Sequence, residues 1–283
     1  MKRKAYAKLN LSLAVINKRE DGYHNIESVM VPLDLYDVVN IEIASKDSFD
    51  CNIDELKDIP NNTVVKVINT MRDSYGFKER FKVDLKKNIP MQAGLAGGSS
   101  DGAATILLID ELLKLNMSKV EKEELAARIG KDVVFCLYQK AAYVKGAGED
   151  LTFFDNNLEI KGLLVKPQGG ISTKVAYELL DLKEREKIDV KAMQKALEGN
   201  DYQVMLNNIR NNFEEVAGDL LLEVTNIKKE LTDFGFDNSI LCGSGSCVFA
   251  VTNDTLLLEK ALSHFKDNYP FVKVSRVKRS NHD

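Results

Sequence analysis

The stretch Pro90-Met91-Gln92-Ala93-Gly94-Leu95-Ala96-Gly97-Gly98-Ser99-Ser100-Asp101-Gly102 runs straight into the apolar segment Ala103 to Leu115, whose pattern predicts a helix. Ahead of it, Phe81 to Leu85 alternates apolar and polar residues as a strand does. A strand, a glycine/serine loop and a helix in that order make an anion site. Unpaired N–H groups at the helix start face the ligand, and the helix dipole favours negative charge there. Glycine lets the main chain approach a phosphate oxygen with no side chain between them. Gly94 to Ser100 has this composition; a tight turn serving only close helix packing is the alternative. The chain contains neither G-x-x-x-x-G-K-[ST] nor G-x-G-x-x-G, which excludes a Walker loop and argues against a Rossmann site or a protein-kinase glycine loop.

Toward the N-terminus, the odd positions from Ala5 to Val15 are all apolar, whereas the even ones include Lys8, Asn10 and Ser12. A period of two predicts a strand with one core face and one polar face, and it puts Lys8 and Asn10 on the same side. A turn follows at Glu20-Asp21-Gly22, then a strand from Val38 to Ile43. Asn62 to Tyr75 is patterned as a helix, with Val64, Val65, Ile68 and Met71 on one face and Gly76 as its stop. Ser118 with Glu121 has capping-box spacing and opens a helix closed by Gly130, after which Asp132 heads Val133-Val134-Phe135. Ala141 to Lys145 is strand-like and ends at Gly146-Ala147-Gly148-Glu149.

The second half has a different rhythm. A strand at Gly162 to Val165 precedes helical patterns from Thr173 to about Phe234. Strands at Ser239 to Cys242 and Cys247 to Val251 then flank Gly243-Ser244-Gly245, a loop that taken alone signals only a hairpin turn. A helix from about Leu256 to Phe265 and a strand from Phe271 to Val277 complete the order β-α-β-β-α-β, the ferredoxin-like arrangement. Asp and Asn cluster between Phe154 and Leu158, which divides the chain into domains at 1–155 and 156–283. At roughly 150 residues per domain, a chain of 283 residues suits two.

Composition narrows the function. Hydrophobic residues at 44% and charged ones at 29% describe a globular chain, not a disordered one. A net charge of −4 lacks the basic field that dominates nucleic-acid affinity, so no nucleic-acid partner is expected. Cys51, Cys136, Cys242 and Cys247 have no metal-ligand spacing, and His24, His264 and His282 sit elsewhere. Buried thiols in a reducing compartment are the expectation. Met1-Lys2-Arg3-Lys4 looks like the start of a signal peptide, but Lys8 interrupts the apolar core that should follow. No stretch reaches about 18 uninterrupted apolar residues, so the expectation is a cytoplasmic protein with no membrane partner, monomeric or homodimeric.

Taken together, the motifs resemble the GHMP kinases, the family named for galactokinase, homoserine kinase, mevalonate kinase and phosphomevalonate kinase. The residues that carry the resemblance are Ala7-Lys8-Leu9-Asn10-Leu11, Asp21-Gly22-Tyr23-His24, Pro90 through Asp101, Gly130-Lys131-Asp132-Val133, Gly146-Ala147-Gly148-Glu149 and Gly243-Ser244-Gly245-Ser246-Cys247-Val248-Phe249. They run in family order over nearly the whole chain. The first two are similar to the branch that uses ATP to phosphorylate the 2-hydroxyl of 4-diphosphocytidyl-2-C-methyl-D-erythritol, in the non-mevalonate route to isoprenoid precursors.

The resemblance implies an α+β fold of two domains, an N-terminal ribosomal-S5-domain-2-like ATP-binding domain and a C-terminal ferredoxin-like substrate-binding domain. It implies that Lys8 and Asp132 are catalytic, with Asp132 either accepting the hydroxyl proton or only orienting the alcohol. Phosphoryl transfer needs positioning and charge neutralisation more than covalent chemistry, which suits this pair. Pro90, Met91, Gln92, Ala93, Gly94, Leu95, Ala96, Gly97, Gly98, Ser99 and Ser100 would wrap the ATP triphosphate, with Ser99 or Ser100 near Mg²⁺. Asn62 and Lys87 match adenine-holding positions. Tyr23 and His24 would hold the cytosine with Tyr177 on its other face, Thr173 would lie near the substrate phosphates, and Asn10 would bond the erythritol end. Gly243, Ser244 and Gly245 complete the substrate set. Gln92, Ala93 and Ala96 stand where many family members have glycine, and Gly102 where alanine is commoner, so nucleotide grip is where this chain departs from the pattern. A non-catalytic nucleotide-binding module on the same fold, or a kinase for another small alcohol, is the alternative.

Overall fold

The computed structural model describes residues 1–57 and 62–280; His282 lies outside them. Two long strands open the chain, β1 (Lys2–Lys18) and β2 (His24–Ala44). The turn between them forms where expected: Gly22 takes a φ of +84°, and the Arg19 N–H donates to the Tyr23 carbonyl at 2.7 Å. Next come β3 (Ser48–Cys51), α1 (Thr63–Tyr75), β4 (Arg80–Lys86), α2 (Gly97–Leu113), α3 (Lys119–Ile129), α4 (Lys131–Tyr138), β5 (Ala142–Lys145) and β6 (Asp150–Phe153). The remainder is β7 (Lys161–Lys166), α5 (Thr173–Leu180), α6 (Val190–Glu198), α7 (Tyr202–Asn208), β8 (Arg210–Asn211), α8 (Glu214–Leu220), α9 (Leu222–Phe234), β9 (Asn238–Leu241), β10 (Val248–Val251), α10 (Thr255–Lys266) and β11 (Phe271–Arg276). These elements form two compact units, each assembled from separate stretches of chain.

The first unit comprises Met1–Ala7, Leu35–Ile89 and Ala96–Gln139. Its sheet pairs the end of β2 with β4 in antiparallel register, Val38 opposite Lys86 through Ala44 opposite Arg80, and β4 with β3 in parallel. Helix α1 begins where the Asn62 side chain accepts the Val64 N–H at 2.9 Å, buries Val64, Val67, Ile68 and Met71, and stops at left-handed Gly76. Helix α2 starts earlier than Ala103: Gly97 to Asp101, expected as loop, already form its first turns, and it ends at Leu113, short of Leu115. Its middle is buried on most sides, so tertiary packing overrides the weak helix propensity of Gly and Ser. Gly102 has a packing role there, because a Cβ would stand 2.8 Å from the Thr63 methyl. In α3 both arms of the Ser118/Glu121 capping box are made.

The second unit comprises Lys8–Asp34, Pro90–Leu95 and Lys140–Asp283. Here the start of β2 pairs antiparallel with β5, β5 with β6, and β1 in parallel with the two residues of β8. A separate sheet of four strands has the order β11-β7-β10-β9, antiparallel throughout. Numbered along the chain, those strands run 4-1-3-2 around the β-α-β-β-α-β order, which is the ferredoxin-like fold. Buried apolar residues of β7, β9 and β10, including Leu163, Leu164, Ile240 and Phe249, form its core. The polar face of β1 is interior rather than solvated: Lys8, Asn10 and Ser12 are 5%, 1% and 0% exposed. All four cysteines are buried thiols, and no helix among the described residues is long and apolar enough to cross a membrane.

Candidate active site

In the second unit the two glycine loops touch. A Cβ on Gly94 would stand 1.6 Å from the Cys242 carbonyl oxygen, so main chain against main chain requires glycine there. Gly243, at φ +52°, faces back: a Cβ on it would be 3.0 Å from the Gly94 oxygen and 3.2 Å from Lys8 Nζ. The Lys8 N–H donates to the Leu95 carbonyl at 3.1 Å, and the Ser246 N–H to the Gln92 carbonyl at 3.2 Å. Asn211 Nδ2 braces the second loop by donating to the Leu241 and Gly243 carbonyls, at 2.9 and 2.7 Å. Asn211 has no local signal in the sequence, because its partners are some thirty residues away. Ala93 and Leu95 are buried, while Met91 and Gln92 are exposed, Gln92 at φ +51°.

Lys8 Nζ donates to Asn10 Oδ1 at 2.7 Å, and Asn10 Nδ2 to Ser28 Oγ at 2.8 Å. Thr173, the first residue of α5, has its Oγ1 2.8 Å from Ser244 Oγ. Tyr23 is half exposed, whereas His24 is buried with its ring stacked on Tyr177, centroids 4.3 Å apart. Tyr177 thus faces His24, and Phe213 meets its ring edge-on at 4.8 Å. His24 Nε2 lies 2.8 Å from Asp181 Oδ1, which no motif singled out. Burial would raise the Asp181 carboxyl, but hydrogen bonds from His24 and Lys18 outweigh it and hold the group below its ordinary value.

In the first unit, Ala96 precedes α2 in the left-handed region at φ +56°, a conformation that glycine adopts with less strain than alanine. A Cβ on Gly97 would stand 3.1 Å from Lys87 Nζ; Gly98 is exposed and Ser99 half-buried. Ser100 is buried, its hydroxyl donating to the Tyr6 carbonyl at 2.5 Å with Cys136 Sγ at 3.2 Å. Asp132 sits half-buried in the first turn of α4, where the helix dipole favours its charge.

The two residues matched to adenine have structural work in the same unit. Asn62 caps α1. Lys87 is buried with its ammonium between the carboxylates of Asp37 and Asp101, the latter at 2.6 Å. Asp37 Oδ1 also accepts the Ile89 N–H at 2.8 Å, tying down the chain just before Pro90. Burial pushes the Asp101 carboxyl up to about 7 against the pull of Lys87. Burial alone would lower Lys87, but the two carboxylates outweigh it and raise it. No cluster of three or more His, Cys, Asp or Glu suited to a metal occurs among the described residues. Ser99 is half-buried, whereas the Ser100 proton is committed to the Tyr6 carbonyl.

Comparisons with known proteins agree with this fold. Sequence models described as "GHMP kinases N terminal domain" and "GHMP kinases C terminal" match residues 62–140 and 193–270. The chain is 40% identical to a protein of Caldanaerobacter subterraneus subsp. tengcongensis named 4-diphosphocytidyl-2-C-methyl-D-erythritol kinase, covering 97% of this chain and 96% of that one. It is 41% identical to the protein of the same name from Thermoanaerobacter pseudethanolicus, over 98% and 96%. A crystal structure of 4-(cytidine 5'-diphospho)-2C-methyl-D-erythritol kinase superposes with a TM-score of 0.81 at 24% identity, covering 98% of this chain and 99% of that one, a likeness of fold. With both halves matched and relatives this similar along nearly its full length, the chain belongs to the GHMP kinase family.

Proposed function

We propose that this chain transfers the γ-phosphoryl group of ATP to the 2-hydroxyl of 4-diphosphocytidyl-2-C-methyl-D-erythritol. The observation that carries the reading is the near-full-length identity of 40% to a relative named for that reaction. Within the second unit, the cluster of buried His24 with half-buried Tyr177 and Asp181 supports it, since flat rings fixed by a carboxylate suit a pyrimidine.

In this reading Gly97 to Ser99, at the start of α2, offer main-chain N–H groups and the helix dipole to the triphosphate. Mg²⁺ bound with ATP neutralises phosphate charge, with Ser99 the residue that would hold it. Lys8 supplies a positive charge for the transferring group, and Asp132 takes or orients the hydroxyl proton. Asn62 and Lys87 serve the nucleotide by shaping the chain around it, Asn62 as a cap and Lys87 as an ionic tie.

Purified protein incubated with ATP and the cytidyl substrate should release ADP in proportion to substrate. Turnover with mevalonate or homoserine instead would move the chain to another branch. Asp132→Asn should lower kcat by about 10²- to 10⁴-fold while leaving ATP binding within about twofold. Equal loss of ATP binding would remove Asp132 from the chemistry.

A further inference from the structure

The buried polar face of β1 carries a hydrogen-bond relay whose direction is set by one atom. The Ser12 carbonyl can only accept, so the Ser28 hydroxyl, 2.7 Å away, donates its single proton there. Toward Asn10, at 2.8 Å, Ser28 Oγ can then only accept, so Asn10 must present its amide NH₂. That leaves Asn10 Oδ1 facing Lys8 Nζ at 2.7 Å. A flipped amide would set N–H donors against the ammonium and leave Ser28 Oγ, its proton spent, opposite another acceptor. Lys8, Asn10, Ser12 and Ser28 are each 5% exposed or less, so water cannot easily substitute for any link. An apolar residue would suit β2 at position 28 better, unless the hydroxyl is needed for this ordering.

We propose that Ser28 and Asn10 are positioning residues for phosphoryl transfer: Ser28 fixes the orientation of the Asn10 amide, and the amide oxygen holds the Lys8 ammonium in place. Asn10 thus acts through Lys8 and not as a ligand of the erythritol end. This rests on Lys8 being catalytic, as proposed above.

The test is a double-mutant cycle between Ser28→Ala and Lys8→Met, with activity normalised to the folded fraction from ATP-site titration. Ser28→Ala should lower kcat by about tenfold or more, with KM for ATP and for the cytidyl substrate within about twofold. In the Lys8→Met background the same change should lower kcat no further, because the group it positions is gone. A purely structural role for Ser28 would lower both backgrounds alike. Unchanged kcat in Ser28→Ala, or an equal further drop in the Lys8→Met background, overturns the relay. Full turnover by Lys8→Met overturns the reading of Lys8 and the relay with it. Should Ser28→Ala fail to fold, Asn10→Leu takes its place in the same cycle. Asn10→Leu should then lower kcat without raising the KM of the cytidyl substrate; a rise in that KM alone would return Asn10 to the substrate and overturn the proposal.

Discussion

Lys8 and Lys87 are both buried lysines, the one beside Gly243 and the other beside Gly97, and they differ in the groups that accept their hydrogen bonds. Lys87 has its ammonium between two carboxylates, one tied to main-chain N–H groups ahead of Pro90 and one on α2. Its charge is consumed in fastening chain to chain. Lys8 Nζ donates to the amide oxygen of Asn10, a group that carries no formal charge. Burial and residue type alone do not separate the two.

The comparison breaks most visibly at Lys87. Replacing it with Met strands two buried carboxylates, and the expected cost is about 3–5 kcal/mol in the free energy of urea unfolding. Lys8→Met should instead appear in turnover, with kcat down by about 10²-fold or more and a much smaller shift in the urea midpoint. Matching losses of stability in both variants would erase the distinction. A smaller effect sharpens the Lys87 side. The Asp101 carboxyl lies at about 7 in the folded chain against an ordinary 3.8, so between those values the native state holds a proton that the unfolded chain has released. Stability should be highest below that window and fall as pH rises through it, by at least about 1 kcal/mol. Urea titrations at pH 5 and pH 8 check the slope, which Asp101→Asn should flatten. The smallest effect concerns Asn62. As the cap of α1, its change to Ala should cost about 1 kcal/mol in thermal or urea unfolding.

Much of the fold could be read from local pattern. The Ser118/Glu121 box, the Asn62-to-Gly76 helix and the β-α-β-β-α-β order of the second half all depend on neighbours a few residues apart. The start of α2 at Gly97 was hidden because its glycines and serines are poor helix formers held there by packing. Strand β2 is longer than the segment Val38 to Ile43 because Ser28 and Asp37 interrupt its apolar alternation, although both are fully buried. That each unit is assembled from separate stretches of chain has no local signature at all, since it depends on which distant segments pack within it. The glycine loops, Lys8 and His24 stood out as motif residues, whereas Ser28, Asp37 and Asp181 did not. A lone polar side chain on a strand or helix looks solvated until its partner, 18, 50 or 157 residues away, is in view.

The contact between Gly94 and Cys242 also bears on how this sequence can diverge. Position 94 is closed to every side chain, not by a bound phosphate but by another stretch of the same polypeptide. A mutational scan should therefore read its intolerance first as loss of folded protein, before any loss of catalysis. Invariance at such a glycine would record an obligation between two parts of the chain, and it would persist in a descendant that had abandoned nucleotide altogether.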